Sequence, residues 1–487
     1  FISYRLSICH KSALSAWFRQ PTWSNTLTAN QPTARLTVGP IGSGLFRMTM
    51  PMILGISSSL LAGLAEAYYL GLLGSEQLAA LGFTFPVTAA LMSITLGVSI
   101  GLSSVLAREV GGGHKDLIQR TTTGGLILAA GIMILVTALG LATLEPLFIA
   151  LGADNNTLPL VTSYMQLWYC SLVFMAIPSV GANALRATGD ARISGTLMVS
   201  GSVLQIGFAP IFIFGWLGLP ELGMTGAALG NLLARFIICI LTFYILTVQY
   251  TLINFKALTT TYLLQAWRRI LVVSIPATAT NLIGPISSGL IIALLANYSQ
   301  EAVAGFAIAS RIEALFVIPL FALSASIGPY VGQNWGAGET DRADKAMGLS
   351  FKWSLFWGLI VAVVLAVAAP ALIGLFDSNT EVTRTAEIYL MVLPITYGTW
   401  GIIMMTSAIF NALGYPLRST LMSFIRMLGI YVPLALTFDH FFGMVGIFVA
   451  AAVANVLVAI LGYLWNRKTF KSHAGAAASE PPNQTAA

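Results

Sequence analysis

The amino-acid sequence predicts an all-α integral membrane protein whose twelve transmembrane helices form two six-helix bundles. Three observations predict it: scarce charge, long apolar runs and an internal repeat. Of 487 residues, 57% are apolar and 9% charged, with mean hydropathy +0.83. A soluble chain carries about 25% charged residues, so this one cannot solvate a surface of its size. The apolar runs approach the ~20 residues that an α-helix needs to cross the hydrocarbon layer. They are apolar on every face, whereas barrel strands alternate, so the spans are helices.

The helices are expected at 48–72, 78–107, 121–144, 157–181, 194–216, 224–249, 270–296, 304–333, 353–375, 386–410, 420–438 and 446–466. Short gaps rich in Gly, Pro, Asn and charge separate them. The basic residues sort by side. Of the 24 Lys and Arg, Arg384 alone falls on one side, while Arg235, Arg311 and Arg426 fall within helices and all the others share the opposite side. Basic loops stay in the cytoplasm, so a multi-pass protein of the plasma (inner) membrane with both termini cytoplasmic is expected. The net charge of +6 is thus a topology signal and not a nucleic-acid footprint.

The two halves repeat at an offset of about 225 residues. Gly111–Gly113 falls opposite Gly336–Gly338, Ala187–Ser194 ("ATGDARIS") opposite Ala412–Ser419 ("ALGYPLRS"), and Gly223–Gly226 ("GMTG") opposite Gly443–Gly446 ("GMVG"). With six helices per half, the second half enters the membrane from the same side as the first. The repeat is therefore parallel, a transporter plan with its site between the halves. The expected divisions are a basic tail at 1–47, bundles at 48–249 and 270–466, a cytoplasmic linker at 250–269 and a disordered tail at 467–487. The first methionine is Met48, so residues 1–47 read as disordered or as lying upstream of the true start. Cys9, Cys170 and Cys239 are isolated, which predicts neither a disulfide nor a metal site.

No P-loop sequence occurs, so no nucleotide is expected to drive the protein. No filter-like loop suggests a channel. A membrane enzyme would want clustered His, Asp or Glu, but His10, His114, His440 and His473 fall in tails or loops. What remains is a gradient-driven secondary transporter, expected to work as a monomer, with membrane lipid as its surroundings and no cofactor or nucleic-acid partner. Ionisable groups at membrane depth are its functional suspects. Glu66 in "LAGLAEAYYLG" is the clearest, either as an ion-coupling carboxyl or facing the outer headgroups. Glu313 is a candidate to bind cationic substrate or to tie helices together. Tyr68, Tyr397 and Trp400 are candidates to line a cavity for flat cations, against the alternative of an interfacial belt. Pro51 either bends helix 1 or sits in its first turn, where proline is tolerated.

"LGSEQLAALGF", "LRATGDAR", "LPELGMTGAALGN", "GQNWGAGETDRA" and "IFNALGYPLRS", in that order, resemble the multidrug and toxic compound extrusion (MATE) family over about Met48 to Trp465. The resemblance implies a V-shaped cavity between two bundles and export of small organic cations in exchange for H⁺ or Na⁺. It places Glu66 where the family often has an aspartate and makes Asn183, Gln205 and Asn231 its polar ion-coupling partners. It also shows a departure: Ala209, before Pro210, stands where many members carry a second acid. One acid in the N-terminal half favours H⁺, although these four side chains could also supply oxygen to Na⁺. A lipid-linked oligosaccharide flippase of the same superfamily would want more basic residues in its cavity than Arg235, Arg311 and Arg426.

Overall fold

A computed structural model describes residues 34–376 and 379–479. Eleven of its helices are long and apolar enough to cross a membrane, and twelve when one bent pair counts as a single span. They are α1 (Ile41–Leu73), α2 (Ser75–Gly111), α3 (Lys115–Ala142), α4 (Thr157–Ala187), α5 (Ala191–Ile213) and α6 (Gly223–Gln249), then α7 (Thr260–Ala296). The bent pair is α8, Gln300–Phe316 and Ile318–Gly336, broken by 49°. After it come α9 (Thr340–Ile373), α10 (Thr380–Leu413), α11 (Pro416–Phe442) and α12 (Met444–Ser479). No strand occurs among the described residues.

The differences from expectation lie at helix ends. α1 starts at Ile41 and not at 48, so Pro51 is an interior residue and not a first-turn one. α3, α7 and α9 begin at Lys115, Thr260 and Thr340, one to four turns before the apolar runs do. Charged residues end an apolar run but do not end a helix, because these turns project from the hydrocarbon layer into water and headgroups. For the same reason α12 continues to Ser479, through much of the segment expected to be disordered. α8 was expected unbroken. Pro319 stands at the start of its second half, lacks an N–H, and so begins a new helix. The expectations for residues 1–33 and 480–487, Cys9 included, lie outside the described residues.

Among the described residues two large apolar cores form, with a small third one around Ile283, Met427 and Ala450. One draws its buried residues from Leu70 to Ile270. The larger one is built mainly from Leu295 to Phe470, but it also takes Leu36, Leu45, Met48 and Met52. The first turns of α1 therefore pack on the C-terminal helices. A Cβ on Gly44 would stand 2.9 Å from the Tyr330 ring.

The N- and C-terminal helices clasp one another at the end that carries the basic loops. Arg108 of α2 donates to the carbonyl of Ala412 at the end of α10 (2.6 Å), and Gln333 of α8 donates to the carbonyl of Ala187 at the end of α4 (2.5 Å). The repeat offset that pairs Gly111 with Gly336 pairs both members of these bonds, so one clasp is made twice. The helices cross backbone to backbone: a Cβ on Gly111 would lie 2.2 Å from the Gln333 carbonyl oxygen, and one on Gly336 2.1 Å from that of Arg108. Only glycine fits there. Residues before α1 lie across this seam. Leu36 donates its N–H to Gln333 Oε1 (3.1 Å), and its carbonyl accepts from Asn334 Nδ2 (3.2 Å). Arg342 holds the Gly39 carbonyl at 2.7 Å. Nearby, the Tyr250 phenol donates to Asp190 (2.5 Å), and burial together with that carboxylate holds the phenol above its ordinary pKa.

Candidate functional site

α1 delivers Glu66 seven residues before its end, about 10 Å along the helix axis at 1.5 Å per residue. The side chain is half-buried. Its Oε1 accepts from the Tyr164 hydroxyl of α4 (2.8 Å), and its Oε2 accepts from Gln205 Nε2 of α5 (2.9 Å). Three helices thus meet on one carboxyl group. Glu66 makes no salt bridge among the described residues. Arg235 of α6 is close enough to act on it through space, but its own bond goes to Ser171 Oγ (2.7 Å), and its guanidinium lies 5.0 Å from the centre of the Trp168 ring.

The other three expected partners divide. Gln205 is bonded to Glu66, as above. Asn231 is 4% exposed, and its Oδ1 has no hydrogen-bond partner among the described residues. Asn183 is placed elsewhere. Its Oδ1 accepts from Arg186 (2.5 Å) and its Nδ2 donates to the Ser179 carbonyl (2.9 Å). Arg186, buried in the last turn of α4, needs that oxygen, which is a physical reason for Asn183 to face away from Glu66. Alignment along one helix does not reveal such competition.

α1 is also shaped by Pro51, eleven residues into the helix. Proline has no N–H and leaves the carbonyl four residues earlier without its helical bond. α5 comes against this place. A Cβ on Gly195 would meet the Pro51 carbonyl oxygen at 2.4 Å, and one on Gly55 would meet the Met198 sulfur at 3.0 Å.

In the C-terminal helices, Glu313 of α8 accepts a hydrogen bond from the Tyr389 hydroxyl of α10. Tyr397 is fully buried and lies 6.1 Å from Trp400, ring to ring. Trp400 in turn packs edge-on against Phe321 (6.1 Å). Tyr68 is 64% exposed and beside Tyr69, on the other half of the molecule from Tyr397. The four cavity candidates therefore do not form one cluster. Tyr164 was missed by sequence reasoning. Its signal was available in the repeat, whose offset pairs it with Tyr389.

Apolar helices in a 6+6 repeat, with a carboxyl group at membrane depth and no nucleotide-binding motif, define a secondary transporter. The family model MatE matches residues 51–211 and again 276–437, and the chain belongs to that family, the MATE transporters. It is 33% identical over 428 residues to a FAD transporter of Shewanella oneidensis, covering 88% of this chain and 95% of that one. It is 23% identical over 411 residues to the probable multidrug resistance protein YoeA of Bacillus subtilis, covering 81% and 88%. The MATE transporter VcmN of Vibrio cholerae, solved in a bent form, superposes with TM-score 0.84 at 28% identity, covering 89% of this chain and 97% of that one. The protein is a multi-pass membrane transporter and not an enzyme. Its family moves substrates by ion coupling without a cofactor.

Proposed function

We propose that the protein is a proton-coupled antiporter that exports organic compounds by alternating access, with Glu66 as the group that carries the exchanged proton. The observation that carries this reading is the bonding of Glu66 to Tyr164 and Gln205 with no salt-bridge partner. A charged carboxylate accepts from both donors. A protonated one must itself donate, so Gln205 has to turn its amide or Tyr164 its hydroxyl. Gaining a proton therefore rewires the junction of α1, α4 and α5. Pro51 lets α1 respond, because the helix is already short of one internal bond there. Two donor side chains and one carboxyl are a thin shell for Na⁺, which favours several oxygen ligands.

The basic loops orient the chain with both termini in the cytoplasm of a plasma (inner) membrane, and one chain makes the whole path. The cargo has two readings. Organic cations are favoured by the uncompensated carboxyl group of Glu66 and by the multidrug resistance protein among the relatives, whereas fully buried Tyr397 offers cargo no open face. A flavin dinucleotide is favoured by the 33% identity to the Shewanella FAD transporter and by the juxtaposition of Arg235 and Trp168, a cation beside an aromatic face. The oligosaccharide flippase reading gains nothing from these contacts, because Arg426 is held by Asn455 and Arg311 is exposed.

Proteoliposomes with an imposed pH or Na⁺ gradient test this, with FAD and a fluorescent organic cation as cargoes. Uptake is expected to follow the pH gradient. Glu66→Gln is expected to abolish pH-driven exchange while cargo binding persists. Wild-type exchange by this variant would remove Glu66 from the coupling role, and transport that follows Na⁺ and ignores pH would overturn the proton assignment.

A further inference from the structure

A second carboxyl group lies deep in the C-terminal half. Glu313 is thirteen residues from the start of α8, about 20 Å at 1.5 Å per residue, and one turn before the 49° break. Broken helices at such depth are where transporters bind coupling ions, because the carbonyl end of the half-helix favours positive charge. Here that end is largely occupied: Val317 N–H donates to the Glu313 carbonyl (3.1 Å), and Trp357 Nε1 donates to the Phe316 carbonyl (2.9 Å). The carboxyl side chain is what remains to take a cation.

Its surroundings are phenols. Tyr389 donates to Oε2, and the Tyr397 hydroxyl lies beside the same carboxyl group. Tyr397 is fully buried, and its hydroxyl makes no hydrogen bond of standard geometry among the described residues. Tyr389 is walled by Phe306 (5.5 Å) and Phe448 (5.2 Å).

Among the described residues, no counter-charge faces the group from the elements around it. On its own helix Arg311 is exposed and, two residues away, on a different face. α7 and α9 carry charge only towards the basic end, at Arg268 and Arg269 and at Asp341 through Lys352. On α10, Glu381 and Arg384 are exposed, and Glu387 is two residues from Tyr389 and so on another face. α11 offers Tyr431 near Tyr389, and its Arg426 is spent on Asn455 (3.2 Å), while α12 presents Phe448.

We infer that Glu313, Tyr389 and Tyr397 form a second proton-binding site, separate from Glu66. A carboxylate at this depth with no cation beside it is costly, and a proton removes the charge. The neutral acid also satisfies the cluster. One oxygen keeps the Tyr389 hydrogen bond, and the added O–H can donate to the Tyr397 oxygen, which has no other partner. A cavity is not needed for this ligand. The repeat supports the assignment independently, because Tyr164 and Tyr389 occupy the same place in the two halves and each donates to a carboxyl group. The carboxyls come from different helices, α1 in one half and α8 in the other. The site's role in transport rests on the proton-coupled reading above, whereas proton binding itself can be measured without transport.

The test is infrared difference spectroscopy of the purified protein taken from mildly alkaline to mildly acidic pH, in H₂O and D₂O. Buried carboxylic acids give C=O bands separate from those of solvated ones. The wild type is expected to gain two such bands. Glu66→Gln should lose one and Glu313→Gln the other, and Tyr389→Phe should move the second while leaving the first in place. Both bands persisting in Glu313→Gln overturns the site, as does a Glu313 band that Na⁺ removes at constant pH. If Glu313→Gln does not fold, an unmoved band in Tyr389→Phe overturns it instead. Loss of only the Glu66 assignment would count against the proposed coupling and not against this site.

Discussion

Pro51 and Gly195 show how much one residue's neighbours decide. Proline inside a helix costs about 3 kcal/mol or more unless its surroundings accept the bend. Here the facing residue is a glycine, and α5 approaches to where any side chain would strike the Pro51 carbonyl. Gly195→Ala is therefore expected to destabilise the protein by about 1–3 kcal/mol through overpacking, visible as a lower Tm in detergent. Pro51→Ala restores a helical N–H and should do the opposite, raising Tm while slowing exchange and leaving cargo affinity unchanged. Exchange at the wild-type rate in Pro51→Ala would show that the bend takes no part in the cycle. The presence of Pro51 and Glu66 on one helix was legible in the sequence, because both stand out against an apolar run. The choice of partner was not. Gln205 and Asn183 look alike as amides, and only the buried Arg186 beside Asn183 separates them.

At the scale of elements, hydropathy located the spans well and their ends poorly. It senses the hydrocarbon layer, and helices such as α3, α7 and α9 run on beyond it into polar surroundings. The break in α8 was written in Pro319, but a proline alone does not say whether a helix bends or stops. α1 and α7 contain Pro51, Pro276 and Pro285 without interruption. The loops between elements carry the orientation. His114 and Glu339 are exposed at the basic end, and Asn155 and Asn297 are exposed in loops of the opposite side. Cysteines placed at Asn155 and Asn297 are expected to react with an impermeant thiol reagent added to whole cells, and those at His114 and Glu339 only after lysis. These positions suit the test better than Gly113 and Gly338, whose φ of +76° and +80° would strain any side chain. The reverse pattern would invert the orientation and the direction of transport with it.

The whole molecule is organised by its repeat, and the repeat places a gate. Among the described residues, the hydrogen bonds that join α1–α6 to α7–α12 lie at the basic end. They include the twin clasps, the bond from Ser104 to the Asn411 carbonyl, and the Arg269–Glu109 pair at 2.8 Å. Under the proposed alternating access this end opens, and these bonds then break in each cycle. The two clasps share geometry but not chemistry. Arg108 brings a charge and a second bond to Ser104 (2.9 Å), whereas Gln333 is neutral and also ties down Leu36. A charge-assisted bond contributes about 1.5–3 kcal/mol and a neutral one about 0.5–1.5 kcal/mol. Arg108→Ala should therefore open the basic end more than Gln333→Ala does. The measurement is the labelling rate of a cysteine placed at Ala107, buried at the seam against Gly332, compared in the Arg108→Ala and Gln333→Ala backgrounds. Opening by population shift makes that rate rise about tenfold for each 1.4 kcal/mol lost. If the bonds act together as one latch, the double variant Arg108→Ala, Gln333→Ala, followed by spin-label distance across the seam, should open by more than the two single effects combined. Equal seam distances in the wild type and the double variant would mean that the glycine crossing at Gly111 and Gly336, and not the hydrogen bonds, holds the gate shut.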